Sequence, residues 1–244
     1  MRNIKLTIRY DGTNYCGWQF QKNGLSIQET IEKAVKKITG AHSAVIASGR
    51  TDAGVHAFAQ VANFKTSSEI PLNNLRMALN TILPDDIVVL RAEEAQAGFN
   101  SQKHAVSKLY RYVIYNKEFM DPLLRQYASK CFFKLDPALM RKGAKHIVGR
   151  HDFTSFMTKD GVEKNAVRTV KRIKIKKDGD LICIDIEADG FLYNMVRNIV
   201  GTLIEVGRGR FKSGHVAEII KKKDKRLCGP TAPAKGLSLV KVTY

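Results

Sequence analysis

Apolar and polar residues alternate at the start of the chain. Over residues 4–10 the even positions are apolar and the odd positions are polar, which is the period of a half-buried strand. A loop follows, and then Ser26 and Glu29 have the spacing of a capping box. Apolar side chains recur at helical intervals from there to Ile38. The pattern predicts a strand, a loop and a helix of about three turns.

The rest of the first half continues with short elements. Strand-like segments at residues 44–48 and 57–64 flank a turn that contains two glycines. A helix is predicted from Pro71 to Ile82, and the segment "DIVVLRA" is predicted to be a strand. The order of elements is therefore β-α-β-β-α-β.

The second half repeats this order. It consists of the strand "SKLYRYVIYN", a helix that Asp136 and Pro137 open and that extends to about residue 148, the strands "RTVKRIKIK" and "LICIDIEA", the helix "FLYNMVRNIVGTLIEVG" and the strand "GLSLVKVTY". Asp178 and Gly179 indicate a hairpin between the two middle strands. Two β-α-β-β-α-β units predict an α+β fold with two ferredoxin-like domains, residues 1–104 and 105–244, each an antiparallel sheet with helices on one face.

The net charge of the chain indicates what kind of partner the protein binds. The chain of 244 residues has 41 Lys and Arg against 23 Asp and Glu, a net charge of +18 at pH 7, which is typical of proteins that bind a polyanion, nucleic acid above all. A basic protein without such a partner is the alternative. The runs "GRGRFK" at 207–212 and "KKKDKR" at 221–226 would line a phosphate-binding rim or, alternatively, be solvated surface.

The composition also indicates the compartment. No apolar run approaches the ~18 residues of a membrane span, and the N-terminus lacks the apolar core of a signal peptide. The widely spaced cysteines predict free thiols without a zinc site or a disulfide framework. We therefore expect a cytoplasmic protein with no membrane partner. These cysteines are Cys16, Cys131, Cys183 and Cys228.

Asp52 is the first residue that could carry chemistry. It stands in "GRTDAGVH", between two strand-like segments, where a rigid scaffold can present a side chain to a cleft. An aspartate in such a turn can also simply cap local backbone amides, with Gly54 at a positive φ. Arg50, which can pair with a phosphate or carboxylate, and His56 add polar groups to the segment and favour a functional site.

Arg197 and Tyr110 are the candidates in the second half. Arg197 lies on an otherwise apolar helix, and a guanidinium buried there requires an anionic partner, because an unpaired buried charge costs several kcal/mol. The alternative is that Arg197 extends to solvent or has only a structural partner. Tyr110 and Tyr112 share one face of a predicted strand, where they would either stack on bases or pack in the core.

Seven motifs together resemble one enzyme family. They are "YDGTNYCGWQFQ", "SIQETIEKA", "GRTDAGVHAFAQVANF", "YRYVIYN", "HDFTSF", "MVRNIVGTLIEVG" and "GLSLVKV". In this order they resemble the tRNA pseudouridine synthase A family over nearly the whole chain. The resemblance implies a basic cleft where the two antiparallel sheets meet, a homodimer, and isomerisation of uridine to pseudouridine at positions 38, 39 and 40 of the tRNA anticodon stem-loop, without a metal or organic cofactor.

The resemblance also implies site roles. Asp52 corresponds to the nucleophile, Arg197 to its ion-pairing arginine, and Tyr110 to the residue that stacks on the base and can take the proton from its carbon 5. Arg50 corresponds to the residue that acts in base flipping. Leu237 would supply an apolar wall of the substrate site, and His56 a further substrate contact.

One departure from the family pattern concerns substrate choice. This chain has Asn100-Ser101-Gln102-Lys103 where the family usually has a His-Ala-Arg-Phe run, so that an arginine is missing. A related enzyme acting on another structured RNA, such as ribosomal RNA, therefore stays open. The alternatives of another class are a non-catalytic RNA-binding protein and a metal-dependent nuclease, although Asp11 and Asp52 alone make a poor metal site.

Overall fold

The computed structural model describes residues 1–22, 24–158 and 165–244. The chain forms two compact units, one consisting of Met1–Val106 with Ser238–Tyr244 and the other of Ser107–Leu237. We call them unit 1 and unit 2. Helices and mostly antiparallel strands occur in both units, which confirms the α+β class. The closing strand groups with the first part of the chain.

Unit 1 contains five strands and two helices within the described residues. They are β1 (Arg2–Tyr10), α1 (Ile27–Thr39), β2 (Ile46–Ala47), β3 (His56–Thr66), α2 (Leu72–Ile82), β4 (Ile87–Ala95) and β10 (Leu237–Thr243), which enters unit 1 at Ser238.

The sheet of unit 1 is centred on β1. This strand pairs antiparallel with β3 on one side and with β4 on the other, β10 adds to β3 in parallel, and β2 pairs antiparallel with β3. The alternation in β1 has the predicted effect, because Ile4, Leu6 and Ile8 are fully buried and Tyr10 is 2% exposed. This core face continues directly under the loops that hold the site.

Helix α1 begins and ends as the sequence predicts. The hydroxyl of Ser26 accepts a hydrogen bond from the backbone amide of Glu29 at 3.2 Å, which confirms the capping interaction. The helix ends at Gly40, whose φ of 76° is the left-handed conformation that glycine adopts without strain. Ile27, Ile31 and Val35 of the apolar stripe are fully buried, whereas Ile38 at its end is partly exposed.

Unit 2 contains five strands and three α-helices within the described residues. They are β5 (Ser107–Tyr115), β6 (Ser129–Lys130), α3 (Pro137–Ala144), β7 (Gly149–Asp152), β8 (Val167–Asp178), β9 (Leu181–Ala188), α4 (Met195–Gly207) and α5 (His215–Lys222).

The strands of unit 2 lie in the order β5-β9-β8-β7, each pair antiparallel, and β6 adds in parallel to β5. The hairpin predicted at Asp178 and Gly179 is confirmed, since Asp178 is paired with Leu181 and Gly179 has a φ of 54°. Alternate residues of β9, namely Ile182, Ile184 and Ile186, are fully buried. Helix α3 packs against β8 and α4.

Two helix boundaries differ from the prediction. Helix α4 begins at Met195 rather than at residue 191, because Asn194 has a φ of 59° and cannot continue a right-handed helix. Helix α3 ends at Ala144 rather than near residue 148. The left-handed Asn194 gives the chain a sharp change of direction just before Arg197.

Two further expectations concern the state of the cysteines and the presence of membrane-spanning helices. All four cysteines are free thiols. Burial raises the pKa of Cys228 to about 11, and its Sγ contacts the carbonyl oxygen of Ser155 at 3.2 Å, so this thiol stays protonated at neutral pH. In the part of the chain that the structure describes, no helix has both the length and the apolar character of a membrane span.

Candidate active site

Asp52 lies in a turn of unit 1 between β2 and β3. Its side chain is partly exposed, and its carbonyl oxygen accepts a hydrogen bond from the amide of Val55 at 3.1 Å. Gly54 has a φ of 75°, as the sequence predicts for this turn. The preceding residue, Thr51, is 6% exposed. The turn therefore presents the carboxylate of Asp52 directly after a buried residue.

The loop between β1 and α1 packs directly on this turn. The amide of Trp18 donates a hydrogen bond to the carbonyl oxygen of Thr51 at 3.0 Å. Two glycines make the approach possible. A Cβ atom on Gly12 would lie 2.0 Å from the oxygen of Val55, and one on Gly17, whose φ is 105°, would lie 2.6 Å from the oxygen of Thr51. Only glycine fits at either position without displacing the turn.

His56 follows the turn and is buried. Its side chain is 6% exposed, and its Nδ1 lies 3.0 Å from Oδ1 of Asp11 and 3.1 Å from the amide nitrogen of Gly12. These contacts fasten the first residue of β3 to the loop after β1. The role of His56 in substrate binding stays a prediction, and so does that of Arg50, whose side chain is exposed beside Asp52.

Unit 2 contains Tyr110, on β5. The ring of Tyr110 is 6% exposed and meets the ring of Phe191 edge to face, with centroids 5.1 Å apart. Tyr112, two residues further on the same face, belongs to the core, since it is fully buried and donates a hydrogen bond to the carbonyl oxygen of Pro233 at 2.8 Å. Of the two tyrosines, Tyr110 has the more accessible ring.

Arg197 lies in the first turn of α4. Its Nε donates a hydrogen bond to the carbonyl oxygen of Ala232 at 2.7 Å, and one terminal nitrogen donates to Oδ1 of Asn194, also at 2.7 Å. The amide of Ala232 in turn donates to the carbonyl oxygen of Arg197 at 3.1 Å. These two acceptors are neutral, so they fix the direction of the guanidinium without neutralising its charge.

Residues 229–232, which supply the backbone acceptor for Arg197, pack closely on α4 because two glycines allow the approach. A Cβ atom on Gly201 would lie 1.7 Å from the oxygen of Pro230, and one on Gly229 would lie 2.6 Å from the oxygen of Gly201. The hydroxyl of Thr231 also donates to Oδ1 of Asn198 at 2.6 Å. Residues 229–232 therefore contact the backbone of α4. This contact fixes the position of the Ala232 carbonyl oxygen, which accepts from Arg197.

Leu237, the last residue of unit 2, is 5% exposed. It follows Gly236, which packs on the ring of Tyr112. Its assignment as an apolar wall of a substrate site stays a prediction.

Sequence reasoning missed several residues that support the site. Gln60 is fully buried in β3, in the middle of an apolar run, and a polar residue at a core position is a signal that could have revealed it. Asn194 was missed as the residue before α4; its side chain bonds to the hydroxyl of Thr158, 36 residues away in sequence, and accepts from Arg197. Among the described residues, no group of three His, Cys, Asp or Glu could hold a metal ion.

Each unit presents groups that occur in active sites. Unit 1 presents a carboxylate on a fixed turn, and unit 2 presents an oriented guanidinium and an aromatic ring. A carboxylate can act as a nucleophile or as a base. The class of protein that these groups indicate is an enzyme, with Asp52 as the candidate for its catalytic group.

Comparison with known proteins identifies the family. The family model described as tRNA pseudouridine synthase matches residues 6–101 and 144–244. A tRNA pseudouridine synthase A of Thermoanaerobacter sp. strain X514 is 47% identical over 244 residues, all of both chains. Proteins of Acetivibrio thermocellus, 46% identical, and Clostridium perfringens, 47% identical and named tRNA pseudouridine synthase A 2, are likewise covered in full. The chain belongs to the tRNA pseudouridine synthase family.

The close packing of residues 229–232 on α4 can be tested through thermal stability. Gly201→Ala places a methyl group where the oxygen of Pro230 lies, so helix and segment must separate, at a cost of roughly 1–3 kcal/mol. We expect the melting temperature to fall by several degrees. Gly214→Ala is the control in the same unit, because a Cβ atom there meets no atom within 4 Å and its φ is −66°. Equal melting temperatures for the two variants would contradict the close packing of residues 229–232 on α4.

Proposed function

We propose that this protein isomerises uridine to pseudouridine in tRNA, with Asp52 as the nucleophile. The observation that carries the proposal is the identity of 47% over the full length to enzymes named tRNA pseudouridine synthase A. The partly exposed carboxylate on its fixed turn supports the assignment to Asp52. The reaction breaks the bond between N1 of uracil and the ribose, turns the base in the pocket and joins carbon 5 to the ribose, while carbon 5 loses its proton and N1 takes one up.

A carboxylate suits this reaction because it can form a covalent bond and leave again. Asp52 attacks either the ribose carbon or the uracil ring. In either case Asp52 must be ionised, and we assign Arg197 as the cation that keeps it so, since a nearby positive charge favours the carboxylate. The orientation of the Arg197 guanidinium by Ala232 and Asn194 supports a fixed partner rather than a solvent-exposed side chain.

The remaining roles concern the target nucleotide. Tyr110, held edge-on by Phe191, stacks on the uracil and takes the proton from carbon 5. Leu237 forms an apolar wall, and His56 contributes a substrate contact through the loop it fastens. A base inside a helix must be flipped out before it can react, and the exposed Arg50 fills the space or holds the displaced backbone.

The finer features of the family are also part of the proposal. The targets are positions 38, 39 and 40 of the anticodon stem-loop, and the protein is a cytoplasmic homodimer. The net charge of +18 supports a basic cleft that binds RNA between two ferredoxin-like domains. In unit 1, the strand order β4-β1-β3 with β2 on β3 supports the ferredoxin-like arrangement. Exposed apolar side chains in unit 2 support a dimer contact; they are Phe119, Leu123 and Phe132.

The nucleophile is tested by removing the carboxylate. Asp52→Asn and Asp52→Ala should abolish pseudouridine formation in unmodified tRNA transcripts, while tRNA affinity stays within about tenfold, or ~1.4 kcal/mol, because phosphate contacts carry the binding. Chemical mapping of pseudouridine gives the activity. Asp178→Ala, which changes an aspartate in another glycine-containing turn, should be fully active. Turnover by a verified Asp52→Ala protein would refute the assignment.

The role of Arg197 is tested by comparing rate with stability. Arg197→Leu should lower the single-turnover rate far more than the melting temperature if its charge acts on Asp52. Arg2→Leu is the control, because Arg2, like Arg197, donates to backbone carbonyl oxygens, here those of Ser68 and Ile70 at 2.8 and 2.9 Å, and its ion pair with Glu94 at 3.0 Å lies within unit 1 and away from the Asp52 turn. It should lower the melting temperature and leave the rate of the folded protein unchanged. An unchanged rate for Arg197→Leu would exclude the catalytic role.

The target set is tested at Gln102. Its side chain is exposed, and the amides of Gln102 and Lys103 both donate to Oδ1 of Asn100 at 3.0 Å, so a longer side chain at residue 102 fits without disturbing the turn. Arginine binds phosphate more strongly than glutamine, by roughly 1–3 kcal/mol. Gln102→Arg should therefore broaden the set of modified uridines on a panel of tRNA and ribosomal RNA transcripts. Identical patterns and rates for both proteins would show that the departure is neutral.

A further inference from the structure

Four buried polar side chains lie beneath the turn that carries Asp52. Ser48 and Gln60 are fully buried, Tyr10 is 2% exposed and Thr51 is 6% exposed. They come from β1, from the connection between β2 and β3 just before Asp52, and from the middle of β3. Burying four polar groups together is unfavourable unless their hydrogen bonds are made, so the cluster must have a defined geometry.

Gln60 fixes the start of the turn. Its Oε1 accepts a hydrogen bond from the hydroxyl of Ser48 at 2.7 Å, and its Nε2 donates to the carbonyl oxygen of Gly49 at 2.9 Å. The amide has one orientation that satisfies both contacts, because Gly49 offers only an acceptor. The amide of Ser48 is also bonded, to the oxygen of Val61 at 2.8 Å. Residues 48 and 49 therefore cannot shift independently of β3.

Tyr10 fixes the residue before Asp52. Its hydroxyl lies 2.7 Å from Oγ1 of Thr51, and it also bonds to Gln60. Burial raises the pKa of Tyr10 to about 12, so the phenol stays neutral at physiological pH and is a hydrogen-bonding group rather than a general base. From the other side, the amide of Trp18 bonds to the oxygen of Thr51. Thr51 is thus held through both its side chain and its backbone.

Asp52 is partly exposed and directly follows Thr51, which is hydrogen-bonded through both its side chain and its backbone. Its Cα position follows from that of Thr51, since consecutive Cα atoms are about 3.8 Å apart across a rigid peptide plane. A nucleophile displaced by about 1 Å can lose on the order of a hundredfold in rate. The cluster itself is buried under the turn and is not available to an RNA ligand.

We propose that Tyr10, Thr51 and Gln60 are positioning residues for Asp52, which hold the turn so that the carboxylate meets the target nucleotide in the reactive geometry. The inference rests on the proposed function of Asp52. It adds that the rate of the chemical step depends on hydroxyl and amide groups that never touch the substrate. Affinity for tRNA does not depend on them.

The decisive variants separate the effect of the Thr51 hydroxyl from that of its methyl group. Thr51→Val keeps the shape and removes the bond to Tyr10, and Thr51→Ser keeps the hydroxyl. Thr66→Val is the matched control, because Thr66 is also 6% exposed, and its Oγ1 accepts from the amide of Ser68 at 3.1 Å at the opposite end of β3. For each protein, the single-turnover rate at saturating unmodified tRNA, the Kd for tRNA and the melting temperature are measured.

We expect Thr51→Val to lower the single-turnover rate at least tenfold with a Kd within twofold of the wild type, and Thr51→Ser to restore most of the rate. Thr66→Val should lower the melting temperature by a similar amount and leave the rate unchanged. A folded Thr51→Val protein with the wild-type rate would overturn the proposal. Equal rate losses in Thr51→Val and Thr66→Val would also overturn it, because a general loss of stability would then suffice.

A second pair of variants tests the proposal if Thr51→Val does not fold. Tyr10→Phe removes the partner hydroxyl from β1, and Gln60→Met removes the bond to Gly49 with little change of size. Each should lower the rate and spare the Kd, and a wild-type rate in both folded proteins would overturn the proposal. A failure of the proposed function would be distinguishable from a failure of this inference, because the wild-type protein would then form no pseudouridine in the same assay.

Discussion

The hydrogen bond from the amide of Trp18 to the carbonyl oxygen of Thr51 is the contact on which the candidate site depends. It joins the loop after β1 to the turn before β3 through backbone atoms alone. It can form only because Gly12 and Gly17 let the two segments approach within backbone contact. His56 is buried at the same junction, where its Nδ1 contacts Asp11 and the amide of Gly12.

Unit 2 uses the same principle for a different group. Gly201 and Gly229 let the segment after α5 touch the backbone of α4, and the carbonyl oxygen of Ala232 then orients Arg197. In both units glycines let two backbone segments come into contact beside a charged side chain. The backbone next to Asp52 and next to Arg197 is fixed in this way, and the Arg197 guanidinium is further oriented by Asn194.

The sequence predicted those parts of the structure that have a local cause. The alternation in β1, the cap at Ser26 and the hairpin at Gly179 depend on residues close in sequence, and all three are confirmed. The start of α4 was predicted too early, because the left-handed Asn194 is set by tertiary contacts. The partners of Gln60 come from residues 48 and 49 across a turn, so only the coordinates reveal them.

The high pKa of Tyr10 bears on how the enzyme can be studied kinetically. A phenol with a pKa of about 12 stays protonated over the whole range in which tRNA is handled. The scaffold under the turn therefore contributes no ionisation of its own to a pH–rate profile between neutral and moderately alkaline conditions. An inflection of such a profile in this range therefore does not come from the Tyr10 phenol.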